Sequence, residues 1–102
     1  MKIVNKDEFN AVVEKGVVMV DFFATWCGPC KMLSPVLEDV ANDMAGKAEI
    51  VKVDIDQSAD LASQFGIMAV PTMLIFKDGQ VVKKLQGFMP KPQLENALNE
   101  VL

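Results

Sequence analysis

The sequence predicts an α/β fold, a three-layer α/β/α sandwich in which helices cover both faces of a mixed sheet. Three observations carry this. Strand-type and helix-type apolar periods alternate along the chain, which implies parallel pairing through right-handed crossovers. Val17–Ala24 is apolar on both faces, as a central, doubly covered strand must be. Asp78-Gly79 stands between two short apolar runs, which signals a terminal antiparallel hairpin.

The elements follow in order. Residues 2–4 read as a short strand. Asn5-x-x-Glu8 has the form of a capping box, and Phe9, Val12 and Val13 follow at helical spacing until Gly16. The second strand is Val17–Ala24, interrupted only by Asp21. Cys30–Met44 is helical, with Leu33, Val36, Leu37, Val40 and Met44 as its apolar stripe and Pro35 as an internal kink point. Glu49–Ile55 is a third strand with Val51, Val53 and Ile55 on one face, and Leu61–Phe65 is a short helix stopped by Gly66. Thr72–Phe76 and Val81–Leu85 form the hairpin. A last helix starts near Pro92 and buries Leu94, Ala97, Leu98, Val101 and Leu102. With 102 residues and about half of them hydrophobic, residues 1–102 are expected to form one domain.

Composition excludes several functions. The net charge is −4 and arginine is absent, so no basic face for nucleic acid is expected. The longest apolar run is too short to span a bilayer and contains Asp21. The amino-terminal residues run at once into charged ones, leaving no apolar core for a signal peptide. A cytoplasmic location and no membrane association are expected. Two cysteines and no histidine are too few for an ordinary structural zinc site or a disulfide scaffold. No metal and no cofactor are expected.

The cysteines stand as Trp26-Cys27-Gly28-Pro29-Cys30, where the buried strand gives way to the second helix. Unpaired backbone N–H groups and the helix dipole favour an anion there, so the Cys27 thiol is expected to be unusually acidic. Cys30 lies about one turn on, on the same face and within disulfide reach. Cys27 would attack a substrate disulfide, and Cys30, deeper in the helix and less exposed, would resolve the mixed disulfide. A purely stabilising disulfide competes weakly, since closing so short a loop removes only about 2 kcal/mol of chain entropy. Half of an intersubunit metal site is a further alternative.

The segment Val20-Asp21-Phe22-Phe23-Ala24-Thr25-Trp26-Cys27-Gly28-Pro29-Cys30-Lys31 closely resembles the thioredoxin family. So do Pro35, Lys52, Phe65-Gly66-Ile67 through Val70-Pro71-Thr72, Phe76-Lys77-Asp78-Gly79 and Gly87. The resemblance runs through the whole chain in the family's order. It implies a thioredoxin fold with a central five-stranded mixed sheet and four flanking helices. It also implies reduction of diverse protein disulfides, with a thioredoxin reductase returning the electrons. The Gly28-Pro29 pair resembles that of the reducing members; oxidising relatives usually carry a histidine before the second cysteine.

The resemblance also assigns roles. It makes Asp21 the proton acceptor for Cys30 and Lys52 the modulator of its charge, although a buried structural Asp and a solvated strand Lys are the plain readings. It makes the Val70-Pro71 bond cis, where pattern alone favours trans. Val70 would pair with an extended substrate segment. Trp26, Gly28, Pro29, Val70, Pro71 and Gly87 would form a flat apolar patch around Cys27, with Gly87 allowing close backbone approach. Phe23 departs from the family's usual tryptophan without an expected effect on the chemistry, and Phe65 from a common tyrosine. Met68 and Met89 fall in two loops expected near the groove, as partner contacts or as neutral variation. The protein is expected to be a monomer. A redox-independent binding module and a disulfide-forming oxidase are the competing functions; the intact cysteine pair with Asp21 speaks against the first, Gly28-Pro29 against the second.

Overall fold

A computed structural model describes residues 1–102. The elements are β1 (Lys2–Ile3), α1 (Lys6–Val13), β2 (Val17–Phe23), α2 (Gly28–Asp43), β3 (Ala48–Asp54), α3 (Ala59–Gln64), β4 (Thr72–Lys77), β5 (Gln80–Gln86) and α4 (Lys91–Asn99). The five strands form one sheet in the order β1-β3-β2-β4-β5. β1 and β2 lie parallel to β3, while β4 runs antiparallel to both β2 and β5. This is the mixed sheet and helix count that the sequence implies.

Every residue of β2 is buried, because helices cover both sheet faces. Its side chains alternate between two cores. Val17 and Met19 pack with Leu33, Leu37 and Leu94 from α2 and α4. Val18, Val20 and Phe22 pack with Phe9 of α1 and Leu61 of α3. Phe65 completes an aromatic group on this second side, 5.3 Å from the Phe9 ring and 5.5 Å from Phe76. By the same alternation Asp21 lies on the face covered by α2 and α4. No helix is long and apolar enough to cross a membrane.

The local signals act as their chemistry dictates. Asn5 caps α1 by accepting the Glu8 N–H at 3.1 Å, and Glu8 returns the bond to the Asn5 N–H at 3.2 Å. Asn5→Ala is expected to cost about 1 kcal/mol, read as a lower urea midpoint with unchanged slope. Asp78 and Gly79 both take positive φ, 49° and 87°, as the tight hairpin between β4 and β5 requires.

Two expectations need correction. α2 starts at Gly28 rather than Cys30, because Pro29 is accepted in the first turn of a helix and Cys27 supplies the cap. The helix then runs on through Pro35 to Asp43. Leu102 lies beyond α4 and is exposed, so the stripe ends with the partly buried Val101. Met89 is half-buried and packs against the α2/α4 core.

Candidate active site

The end of β2 and the start of α2 meet at the cysteines. The turn closes with the Cys27 N–H donating to Ala24 O at 3.2 Å. Cys27 is the N-cap of α2 in an extended conformation, and its Sγ accepts the Cys30 N–H at 3.2 Å. A sulfur therefore occupies the position where Ser or Asp usually caps a helix. The first turn of α2 holds no acidic residue, so this sulfur meets no competing carboxylate there. Cys27 and Cys30 form a disulfide with their Cα atoms 5.3 Å apart, inside the range that geometry allows.

Both cysteines are nearly fully buried, Cys27 at 5% and Cys30 at 3% exposure. Cys30 is the less exposed of the two, as expected, but by too little to distinguish them. Their surroundings do. Cys27 Sγ lies 3.8 Å from the carbonyl oxygen of Val70, on the loop before β4. Cys30 instead lines a cavity of about 360 Å³ with Phe23, Ala24, Thr25, Lys31, Ser34 and Lys52. The helix turn between the cysteines thus gives each sulfur a different neighbourhood.

The Val70-Pro71 bond is cis. Its loop is tied down by Thr72, whose hydroxyl donates to Ala69 O at 2.7 Å. Gly87 is brought alongside when its N–H donates to Pro71 O at 2.9 Å. Gly87 has φ 83° with open space where a Cβ would stand, so backbone conformation is what requires glycine within the chain itself.

The expected patch is only partly realised. Trp26 is 67% exposed, and Gly28 and Pro29 are exposed as well. Val70 and Gly87 are half-buried. Pro71, however, is buried and adds no surface, because the strand it opens runs into the sheet. The apolar surface extends further: Trp26, Met68 and Val70 line a groove of about 260 Å³ together with Ile55, Ile67 and Ala69, to which sequence reasoning assigned no role at the site. The Trp26 ring is held there by its Nε1–H, which donates to Asp56 Oδ2 at 2.9 Å.

Asp21 is fully buried, and neither carboxylate oxygen has a hydrogen-bond partner in the protein. Burial pushes its carboxyl up to about 6 from the usual 3.8, and the Lys52 charge draws it partly back. Asp21 and Lys52 are paired in register across β2 and β3. Lys52 is not the solvated lysine that its strand position suggests. Its ammonium donates to Ser34 Oγ at 2.9 Å and sits 4.3 Å above the Phe23 ring. Neither contact was foreseen. Ser34 lies one turn beyond Cys30 on the same face of α2, and that spacing was the available signal.

The arrangement suits reversible dithiol chemistry: a capped sulfur at a helix end, a second sulfur one turn behind, and a carboxyl of raised pKa on the sheet below. The comparisons agree. The family model described as Thioredoxin matches residues 1–100. Proteins named Thioredoxin from Staphylococcus aureus strains Mu50, MW2 and N315 are each 49% identical over 102 residues. Those alignments cover all of this chain and 97% of each relative. On the matched sequence, fold and cysteine pair together, the chain belongs to the thioredoxin family.

Proposed function

We propose that this thiol–disulfide oxidoreductase works as a general reductant of protein disulfides, recharged by a thioredoxin reductase. The observation that carries the reading is the Cys27–Cys30 disulfide at the amino end of α2, with Cys27 Sγ on the Cys30 N–H.

The cycle follows from the atoms. In the reduced protein Cys27 is a thiolate, stabilised by the orphan N–H groups and the dipole of α2. Each unit by which its pKa falls is worth about 1.4 kcal/mol and raises the thiolate fraction at neutral pH up to about tenfold. The thiolate attacks one sulfur of a substrate disulfide. A mixed disulfide forms, and the other substrate sulfur leaves as a thiolate. Cys30 then gives its proton to Asp21 through water, and its sulfur attacks Cys27. The internal disulfide forms, and the second substrate sulfur leaves. Two electrons have passed from the protein dithiol to the substrate disulfide. The reductase reverses this by thiol–disulfide exchange.

Asp21 is suited to its step because its raised pKa brings it nearer that of a thiol than an ordinary carboxylate. Lys52 keeps that pKa from rising further. Trp26, Gly28, Pro29, Val70, Pro71 and Gly87 form or support the docking surface. An extended substrate segment pairs with the Val70 backbone, in the manner of strand addition. The protein acts in the cytoplasm as a single-domain monomer.

The test is the reduction of insulin by dithiothreitol with catalytic amounts of the protein. Clear acceleration over dithiothreitol alone is expected. A rate equal to that of dithiothreitol alone overturns the reading.

A further inference from the structure

We propose that Ser34 is a positioning residue: its hydroxyl holds the Lys52 ammonium against the Phe23 ring, in the cavity beside Cys30, so that the lysine's charge acts on Asp21 instead of swinging into solvent. The inference rests on the reading of Asp21 as proton acceptor for Cys30, and concerns how that group is kept in working order.

Lys52 is the one charge that acts on Asp21. A lysine has a flexible stem and a strongly hydrated head, and near a surface it extends toward water. Lys52 is half-buried at the wall of an open cavity, so such a path exists. Two contacts oppose it. Ser34 Oγ accepts from the ammonium at 2.9 Å, and the Phe23 face lies 4.3 Å from it. The contacts come from different elements, α2 and β2, and converge on the same atom. A serine inside a helix commonly bonds back to its own helix carbonyls. Here the hydroxyl oxygen receives a bond from β3 instead.

The rest of the surroundings carry little charge. β4 opposes Asp21 with Met73. α4 buries only Leu94, Ala97 and Leu98. α2 adds Cys30 and, at the cavity wall, the exposed Lys31. With no hydrogen-bond partner of its own in the protein, Asp21 depends on this single positive charge to moderate its burial. A lysine free to leave would make that charge intermittent. Phe23 gains a task on this view, since its ring is the second wall of the clamp.

The experiment uses the full-length oxidised protein, in which neither cysteine titrates. The Asp21 carboxyl is followed by carbon NMR across pH in the wild type, Ser34→Ala, Ser34→Thr, Lys52→Met and the double variant Ser34→Ala/Lys52→Met. Loss of a nearby opposite charge raises a carboxyl pKa by about one unit or more, so Ser34→Ala, which loosens the charge without removing it, is expected to raise it by roughly half a unit. Ser34→Thr restores the wild-type midpoint. The double variant titrates with Lys52→Met alone, because Ser34 has nothing left to hold. A wild-type midpoint in Ser34→Ala overturns the proposal. So does an undiminished Ser34→Ala shift on the Lys52→Met background, which would make Ser34 a matter of local packing. The pH profile of mixed-disulfide resolution separates this from the reading beneath it. If the Asp21 midpoint moves in Ser34→Ala and the rate profile does not, the clamp stands and the acceptor role of Asp21 falls.

Discussion

Replacing Cys30 with serine is expected to stop the reaction halfway. In Cys30→Ser the Cys27 sulfur still caps α2, because its bond comes from the backbone N–H of residue 30 and not from that side chain. The first exchange therefore proceeds. Nothing then displaces the substrate from Cys27, since a serine hydroxyl is not ionised at neutral pH and cannot form the sulfur–sulfur bond. With the reduced protein and an aromatic disulfide whose thiolates are coloured, the wild type releases both thiolates. Cys30→Ser releases only the first and keeps the second half as a covalent adduct, which mass spectrometry detects. Cys27→Ser leaves a thiol that lines the cavity beside Lys52 and lacks the helix cap position, so its release falls toward the rate without protein. A stable adduct in Cys27→Ser with none in Cys30→Ser would exchange the roles of the two sulfurs.

What the sequence made legible was local. The capping box at Asn5, the turn at Asp78-Gly79, the doubly buried β2 and the cysteine pair at a strand–helix junction all lie within short windows. In each window a few residues settle the backbone by their own chemistry. What was missed spans the fold. Ser34 and Lys52 are 18 residues apart and Trp26 and Asp56 are 30 apart, and each pair meets only once the sheet is assembled. No period announces such a contact. Pro71 was misjudged for the same reason: a residue near a site in the chain can still turn inward, and burial is decided by what the sheet and helices leave uncovered. Phe23 likewise meets its partner only across the fold: its ring face carries the Lys52 ammonium.

Asp21→Asn is expected to make the protein more stable and less active at once. Burial holds the folded-state carboxyl at about 6, above its ordinary 3.8, so the folded protein binds this proton more tightly than the unfolded chain does. Stability therefore falls as pH rises between those values, the reverse of the usual behaviour of a paired carboxylate. Below about pH 3.8 the group costs nothing. Above about pH 6 the full penalty is present, and a shift of this size corresponds to about 3 kcal/mol. Asn keeps the shape and removes the charge. At pH 7–8 the oxidised variant should unfold at higher urea and melt on the order of 10 °C higher. The gap should close as both proteins are acidified through the window. Function moves the other way. Without a carboxylate to accept the Cys30 proton, resolution of the mixed disulfide slows while its formation by Cys27 is largely spared. The rise of the resolving rate with pH near 6, where wild-type Asp21 ionises, should vanish. A variant no more stable than the wild type at pH 8, or a gap that stays constant on acidification, would show that Asp21 is not held against its burial. Equal slowing of both chemical steps would show that its charge is not the proton acceptor.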